Sequence, residues 1–547
     1  MTRRTFLAGS VVAGIREAVP DVRPATLDLR DPLRKAIECV VNRMDPAMNF
    51  QPWFAIDVIN GRPTKLRHDI WDFGDTSGRF LEALILARQM LEPDREATIA
   101  EERIRRFFNS LFDSSGLIHN PMLKQPDHMF AQGSALYALV TDFEQWRDPS
   151  VRVRIENFIA ALNRAAKQES DYLWFPQVAT QKGACPHQAA YQILPAVRFY
   201  ELTGYGPALR FAARLSRWPL YHDDTVLPNG AITKTGWEGH LHAWMDTFSG
   251  ILRCSRAGGP NLNHQEIHER THRVFEWVKS THTSPFGWVA DSVGAKTCET
   301  DTITSAIRLA LELIKEGHTE YWNDIECFVR NQLIENQFVD VDRLELTDPK
   351  LIRGLRGSFE SWADPNTLLA VKNADIEGCC INGGIRGLFL ASQNAIQETL
   401  EQTRVNLLIS AIAPSLEVAS YLPFEGRLDL YPSNSKHIRV RTPDWLDPRK
   451  VRVSGPSGLK TEREGSGVQL ANVLPGVPIS LRFEQDSSER QHLVAGRTYQ
   501  ALWRGDTVLR LLPPGSPYPI FQRKILNQSN PQSKPKDLSP IAQKVHW

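Results

Sequence analysis

Residues 298–314 read CETDTITSAIRLALELI. Beyond the polar first turn, Ile303, Ala306, Ile307, Ala310, Leu311 and Ile314 fall at helical spacing. A helix so apolar around its circumference has to be covered on nearly every side. Five other stretches share the plan of a polar or thiol residue opening an apolar helix. They are DTSGRFLEALILA from Asp75, QGSALYALVTDFE from Gln132, HQAAYQILPAVRFYEL from His187, HLHAWMDTFSGILRC from His240 and CCINGGIRGLFLAS from Cys379. The steps up to Cys298 run at roughly 53 to 58 residues and the last is longer by about half, the size of a helical hairpin with its connections. Stacked side by side, these helices bring their first turns to one mouth, where carboxylate, imidazole and thiol meet.

Between the openings lie returning helices such as REATIAEERIRRFFNSLF, DPSVRVRIENFIAALNRAA, YGPALRFAARLSRW, QEIHERTHRVFEWVKS and EYWNDIECFVRNQLIENQF. Each has one apolar stripe and follows a Gly or Pro breaker. One inner and one outer helix, six times over, predicts an (α/α)6 toroid over residues 31–402. Past Thr403 the segments shorten, become rich in β-branched residues and end at Pro, Gly, Asn or Asp. Alternation at Ile438/Val440, Val451/Val453 and Ile479/Leu481/Phe483 predicts an antiparallel β-sandwich over 403–523. Residues 524–547 are polar and proline-rich and are expected to be disordered.

The 547 residues carry a net charge of +1, which gives no pull on nucleic acid, and no apolar run is long enough to span a bilayer. Fourteen Trp serve as core filling or as sugar-stacking platforms. Thr2-Arg3-Arg4-Thr5-Phe6-Leu7 has the twin-arginine export pattern, so 1–30 reads as a signal for export to the periplasm. The alternative is an ordinary flexible N-terminus on a cytoplasmic protein. Seven cysteines, two of them adjacent, do not form a disulfide framework. Nothing in the sequence sets an oligomeric state.

From Asp72 to Leu512 the chain resembles glycoside hydrolase family 127, the β-L-arabinofuranosidase type. The resemblance is carried by Asp75 with Arg79-Phe80-Leu81-Glu82-Ala83, His187-Gln188 with Tyr200-Glu201-Leu202-Thr203-Gly204, Gly239-His240, Thr297-Cys298, Cys379-Cys380 with Ala391-Ser392, and Tyr421 to Trp445. It implies a zinc site of one Glu and three Cys, one of the paired cysteines being also the nucleophile, with a separate Glu as acid/base. It carries the three cysteines onto Cys298, Cys379 and Cys380, with Cys379 as nucleophile, and two substrate-contacting histidines onto His187 and His240. Two departures stand out. The family's Glu-Thr-Cys is Lys296-Thr297-Cys298 here, and the stretch before Cys298 has no Glu for the acid/base. A register two or three residues along offers Glu299 or Asp301 as the carboxylate ligand.

Each residue also has a plainer reading. A buried Cys is usually a small hydrophobe, but a vicinal pair at a helix N-terminus is favoured as thiolate. Lys296 either replaces the metal's charge beside a cysteine or points to solvent. His187 and His240 cap helices or bind sugar hydroxyls, and Asp75 is equally an N-cap. Asp127-His128 belongs to the same cleft as a lesser candidate, while Cys39, Cys185, Cys254 and Cys327 read as inert.

The expected function is a retaining glycosidase on L-arabinofuranosides or related glycans. In it Cys379 attacks the anomeric carbon and Glu299, or failing that Asp291, protonates the leaving oxygen. The alternatives are a carbohydrate-binding toroid that has lost catalysis, and a toroid enzyme for uronic-acid sugars with Lys296 on the substrate carboxylate.

Overall fold

The structure is a computed structural model that describes residues 27–58, 64–92, 94–175, 191–339, 341, 346–369, 375–516 and 518–521. The export pattern at residues 2–7, His187, Cys185 and the 524–547 tail lie outside these residues.

Among the described residues thirteen helices build the larger part: α1 (Arg30–Asn42), α2 (Gly78–Ala87), α3 (Arg95–Ser110), α4 (Met129–Trp146), α5 (Pro149–Ala165), α6 (Ile193–Thr203), α7 (Gly206–Arg217), α8 (Leu241–Arg256), α9 (His264–His282), α10 (Thr300–Ile314), α11 (Trp322–Phe328), α12 (Pro349–Leu355) and α13 (Gly378–Ala395). The inner ring is α2, α4, α6, α8, α10 and α13. Each packs on the next, and α13 returns to α2. Inner helices are buried almost throughout: every residue of α2 is buried, including Arg79 and Glu82. Outer helices bury one stripe, as α3 does with Ala100, Ile104, Phe107 and Phe108.

The sixth outer helix departs from the expected pattern. After α13 the chain enters a strand directly, and α1 from the other end of the sequence packs against α13 and α2. The ring is therefore locked by both ends of its own helical region.

Ile396–Glu398, Thr403–Val405, His437–Arg441, Gly467–Ala471 and Lys460–Glu464 form one five-stranded sheet, in that order. Ala411–Ala413, Leu416–Ser420, Arg427–Pro432, Ile479–Arg482 and Arg452–Ser454 form the other. Their shared core includes Val418, Leu430, Ile438, Val440, Leu470, Ile479 and Leu481. The pairings within these two sheets are antiparallel apart from one, in which Thr403–Val405 runs parallel to His437–Arg441. The sandwich is also shorter than 403–523. Ser487–Val494, Arg497–Arg504 and Thr507–Leu512 make a separate antiparallel sheet, and its Tyr499, Trp503, Val508 and Leu511 join the toroid core. Among the described residues no helix is long and apolar enough to cross a membrane.

Between neighbouring inner helices, Glu312 of α10 pairs with Arg253 and Arg256 of α8 and with Lys315. Burial alone would raise this carboxyl, but the three cations outweigh it and hold it at about 2, below its usual 4.5. A carboxyl depressed in this way contributes stability above its unfolded-state value, lost as the pH falls through the folded one. Glu312→Gln is expected to lower the urea midpoint at pH 7, with the deficit shrinking as the pH drops through the window from about 4.5 towards 2. A deficit independent of pH would remove the ion-pair account.

Candidate active site

Three outer helices have conventional N-caps: Asp94, Asp148 and Asn263 each accept a hydrogen bond from the first turn of their own helix. At four inner helices the N-cap position is instead taken by His128 (α4), His240 (α8), Glu299 (α10) and Glu377 (α13), and none of these side chains caps its helix. Ionisable groups that do not bond their own backbone are left to face one another at the mouth.

Glu299, Asp301, Cys379 and Cys380 each offer a ligand atom, and these atoms lie within 4.8 Å of one another in a fully buried group. The Cys380 thiol donates to Glu299 Oε1 at 3.6 Å, and the two sulfurs are 3.7 Å apart. His240 Nε2 lies 2.7 Å from Glu299 Oε2. Cys379 donates to Glu377 Oε2 at 3.4 Å. Behind the group, buried Arg79 places Nη1 3.3 Å from Asp301 Oδ2 and donates from Nε to Asp75 Oδ1 at 2.7 Å.

Cys298 does not belong to this group, which corrects its expected place among the ligands. Its backbone bridges Ala290 and Ala363 in extended conformation, and successive side chains of an extended chain face opposite ways. Cys298 therefore turns to Glu360 while Glu299 turns to the paired cysteines. The shifted register supplies both Glu299 and Asp301. Lys296 is exposed, so the reading in which its ammonium replaces a metal's charge is corrected. The fixed cation at the group is Arg79.

The other expected residues divide. Asp75 is buried and also accepts from Ser134 Oγ at 2.6 Å. Asp127 accepts from Gly74 N, Asn120 Nδ2 and His128 N, which ties its loop to the turn before α2. His128 packs at a tilt against Trp71, whose ring packs on the Phe54, Cys379 and Cys380 cluster. Asp291 accepts from Ser292 and Thr297 hydroxyls. Cys39 and Cys254 are buried and free.

Sequence reading missed Glu377 and Arg79 as site residues. Each left a signal: an acid two positions before the paired thiols, and a charge inside a helix with no polar face.

Arg79 does not offset the cost of burying the acids of this group. Burial pushes Asp301 up against the pull of Arg79, and pushes Glu377 to about 8. The Cys379 thiol is raised by its contact with Cys380 and by burial, and Cys380 by burial. Burial opposes protonation of His240, but Glu299 overrides it and raises that imidazole. Two buried carboxylates and two buried thiols suit a divalent metal ion, which would favour the charged form of all four.

No protein-family model and no curated protein matches the sequence. Solved structures do. A GH127 β-L-arabinofuranosidase from Geobacillus stearothermophilus T6 aligns over 89% of this chain and 86% of its own, at 12% identity and TM-score 0.62. A second GH127 β-arabinofuranosidase aligns over 89% and 84%, at 15% identity and TM-score 0.64. A sugar epimerase from a ruminal bacterium aligns over 68% of this chain and 99% of its own, at 12% identity and TM-score 0.52. The toroid followed by a β domain is the fold shared with the two arabinofuranosidases.

Gly383 sets the approach of α13 to α10, since a Cβ there would stand 2.1 Å from Asp301 Oδ1 and 2.8 Å from its Cγ. Ala in mid-helix ordinarily stabilises by about 1 kcal/mol over Gly. Gly383→Ala is expected to do the opposite, lowering the melting temperature and the protein's divalent-metal uptake by dialysis. Unchanged uptake would separate Asp301 from the site.

Proposed function

We propose that this chain is a retaining glycoside hydrolase with Cys379 as nucleophile, acting on L-arabinofuranosides or closely related pentose glycosides. The observation that carries the reading is the Cys379 thiol at the N-terminus of α13, inside the four-ligand group and 3.4 Å from the Glu377 carboxyl. The shared fold of the two arabinofuranosidases supports the sugar class.

Glu299, Asp301, Cys379 and Cys380 would hold the metal, with zinc the ion best matched to a mixed thiolate and carboxylate set. When bound, it supplies the positive charge that keeps the thiols ionised at neutral pH. The chain's own residues do the rest. The helix dipole of α13 favours negative charge on Cys379. Its sulfur attacks the anomeric carbon as the glycosidic C–O bond breaks, and Glu377 gives its proton to the departing oxygen. The same carboxylate then takes a proton from water, whose oxygen displaces the sulfur and leaves the anomeric configuration retained. Glu377 takes the role expected of Glu299 or Asp291, because Glu299 is engaged with His240 and Cys380, and Asp291 with two hydroxyls. His240 and His128 would bind sugar hydroxyls, with Trp71 beside His128.

A binder without catalysis rests on the lysine at the ligand position and on the missing acid/base Glu. Both grounds weaken with Glu299 beside Cys380 and Glu377 beside Cys379. Cys379→Ala is expected to abolish hydrolysis of aryl L-arabinofuranosides. Glu377→Gln is expected to cost about 10²- to 10⁴-fold in kcat, less for leaving groups that need no proton. Full activity in Cys379→Ala would end the proposal, and an undiminished kcat in Glu377→Gln would return the acid/base role to Asp291.

A further inference from the structure

On the outer wall of the toroid, around α9 and the turn after α10, four imidazoles meet. His264, His268 and His272 recur every four residues along α9, so they share one helix face. His318, in the turn between α10 and α11, comes in over that face. His268 Nε2 and His318 Nε2 stand 3.0 Å apart, and the ring of His272 stacks on His318 at 4.0 Å. All four side chains are half-buried and reachable from solvent.

The nitrogen separation fits two descriptions. One is an N–H···N hydrogen bond between neutral rings. The other is a pair of adjacent ligands on one ion, since two metal–nitrogen bonds of about 2.1 Å meeting at a right angle hold the nitrogens about 3.0 Å apart. A second feature favours the ligand description. His318 Nδ1 lies 3.1 Å from Glu320 Oε1. A carboxylate taking the Nδ1 proton leaves Nε2 with its lone pair towards His268, the arrangement that orients metal-bound histidines. The flanking rings steady the pair: His264 Nε2 lies 3.1 Å from Glu316 Oε2, and His272 covers the other face of His318. No step of the proposed hydrolysis uses any of these groups.

We propose that His268 and His318 form a second metal site, taking a first-row transition ion such as Ni²⁺, Cu²⁺ or Zn²⁺ with solvent filling the remaining positions. The ion would tie α9, the outer helix of one hairpin, to the turn of the next. Its role is that of a staple between neighbouring hairpins, independent of the chemistry at the mouth.

The test is equilibrium dialysis of the full-length protein against Ni²⁺, beside His268→Ala and His318→Ala, with His492→Ala as a control for a histidine elsewhere. The expected result is one equivalent more in wild type and the control than in either variant, with glycosidase activity equal in all four proteins. Ni²⁺ is also expected to raise the melting temperature of wild type but not of the two variants. Glu320→Gln, which keeps both ligands, is expected to weaken the extra equivalent about tenfold or more. Equal Ni²⁺ uptake by wild type and both histidine variants would overturn the proposal and leave the hydrogen bond as the description of the pair.

Discussion

Four would-be anions buried within 4.8 Å of one another are the constraint on which the rest of the structure turns. Taking such groups out of water disfavours their charged forms, and among the described residues the cation paired with them is Arg79. The toroid makes the arrangement possible. Its inner helices all begin at the same end, so partial positive charges and free N–H groups converge where the acids and thiols are. Three outer helices spend their N-cap residues on their own backbones, whereas four inner helices place His128, His240, Glu299 and Glu377 at that position uncapped. The site is built from helix starts that have given up local satisfaction.

Closure of the ring follows from the same need. A group assembled from α8, α10, α13 and the approach to α2 keeps its geometry only if those helices cannot splay. The chain secures this by laying α1 over the seam between α13 and α2. On the inside, glycines of α13 let the backbones approach: Gly383 meets Asp301, and Gly384 meets the ring of Phe359. The third sheet, with Trp503 and Tyr499 in the toroid core, braces the outside.

Much of this could be read from the residues. An apolar helix opened by a reactive residue, recurring at a near-even step, leads to the toroid, and the adjacent thiols at Cys379 and Cys380 lead to the mouth. What resisted reading was register. In Lys296-Thr297-Cys298-Glu299-Thr300-Asp301 either a cysteine or two carboxylates can face the thiols. The choice is made by long-range bridges from Cys298 to Ala290 and Ala363, which no local pattern announces. The sixth outer helix was hidden for a related reason, since a sequence repeat cannot show that its last partner precedes the first unit. Glu377 was hidden because an acid at a strand end looks like any solvated residue until the strand Asp375–Glu377 is paired with Ala55–Asp57.

The most direct measurement is X-ray absorption at the metal edge on the purified protein, which counts sulfur and oxygen neighbours separately. The account predicts one ion at the mouth with two sulfurs at about 2.3 Å and two oxygen or nitrogen neighbours at about 2.0–2.2 Å. A shell with three sulfurs would restore Cys298 as a ligand, and a shell with none would take both thiols away from the ion. Either result would contradict the site described for Glu299, Asp301, Cys379 and Cys380.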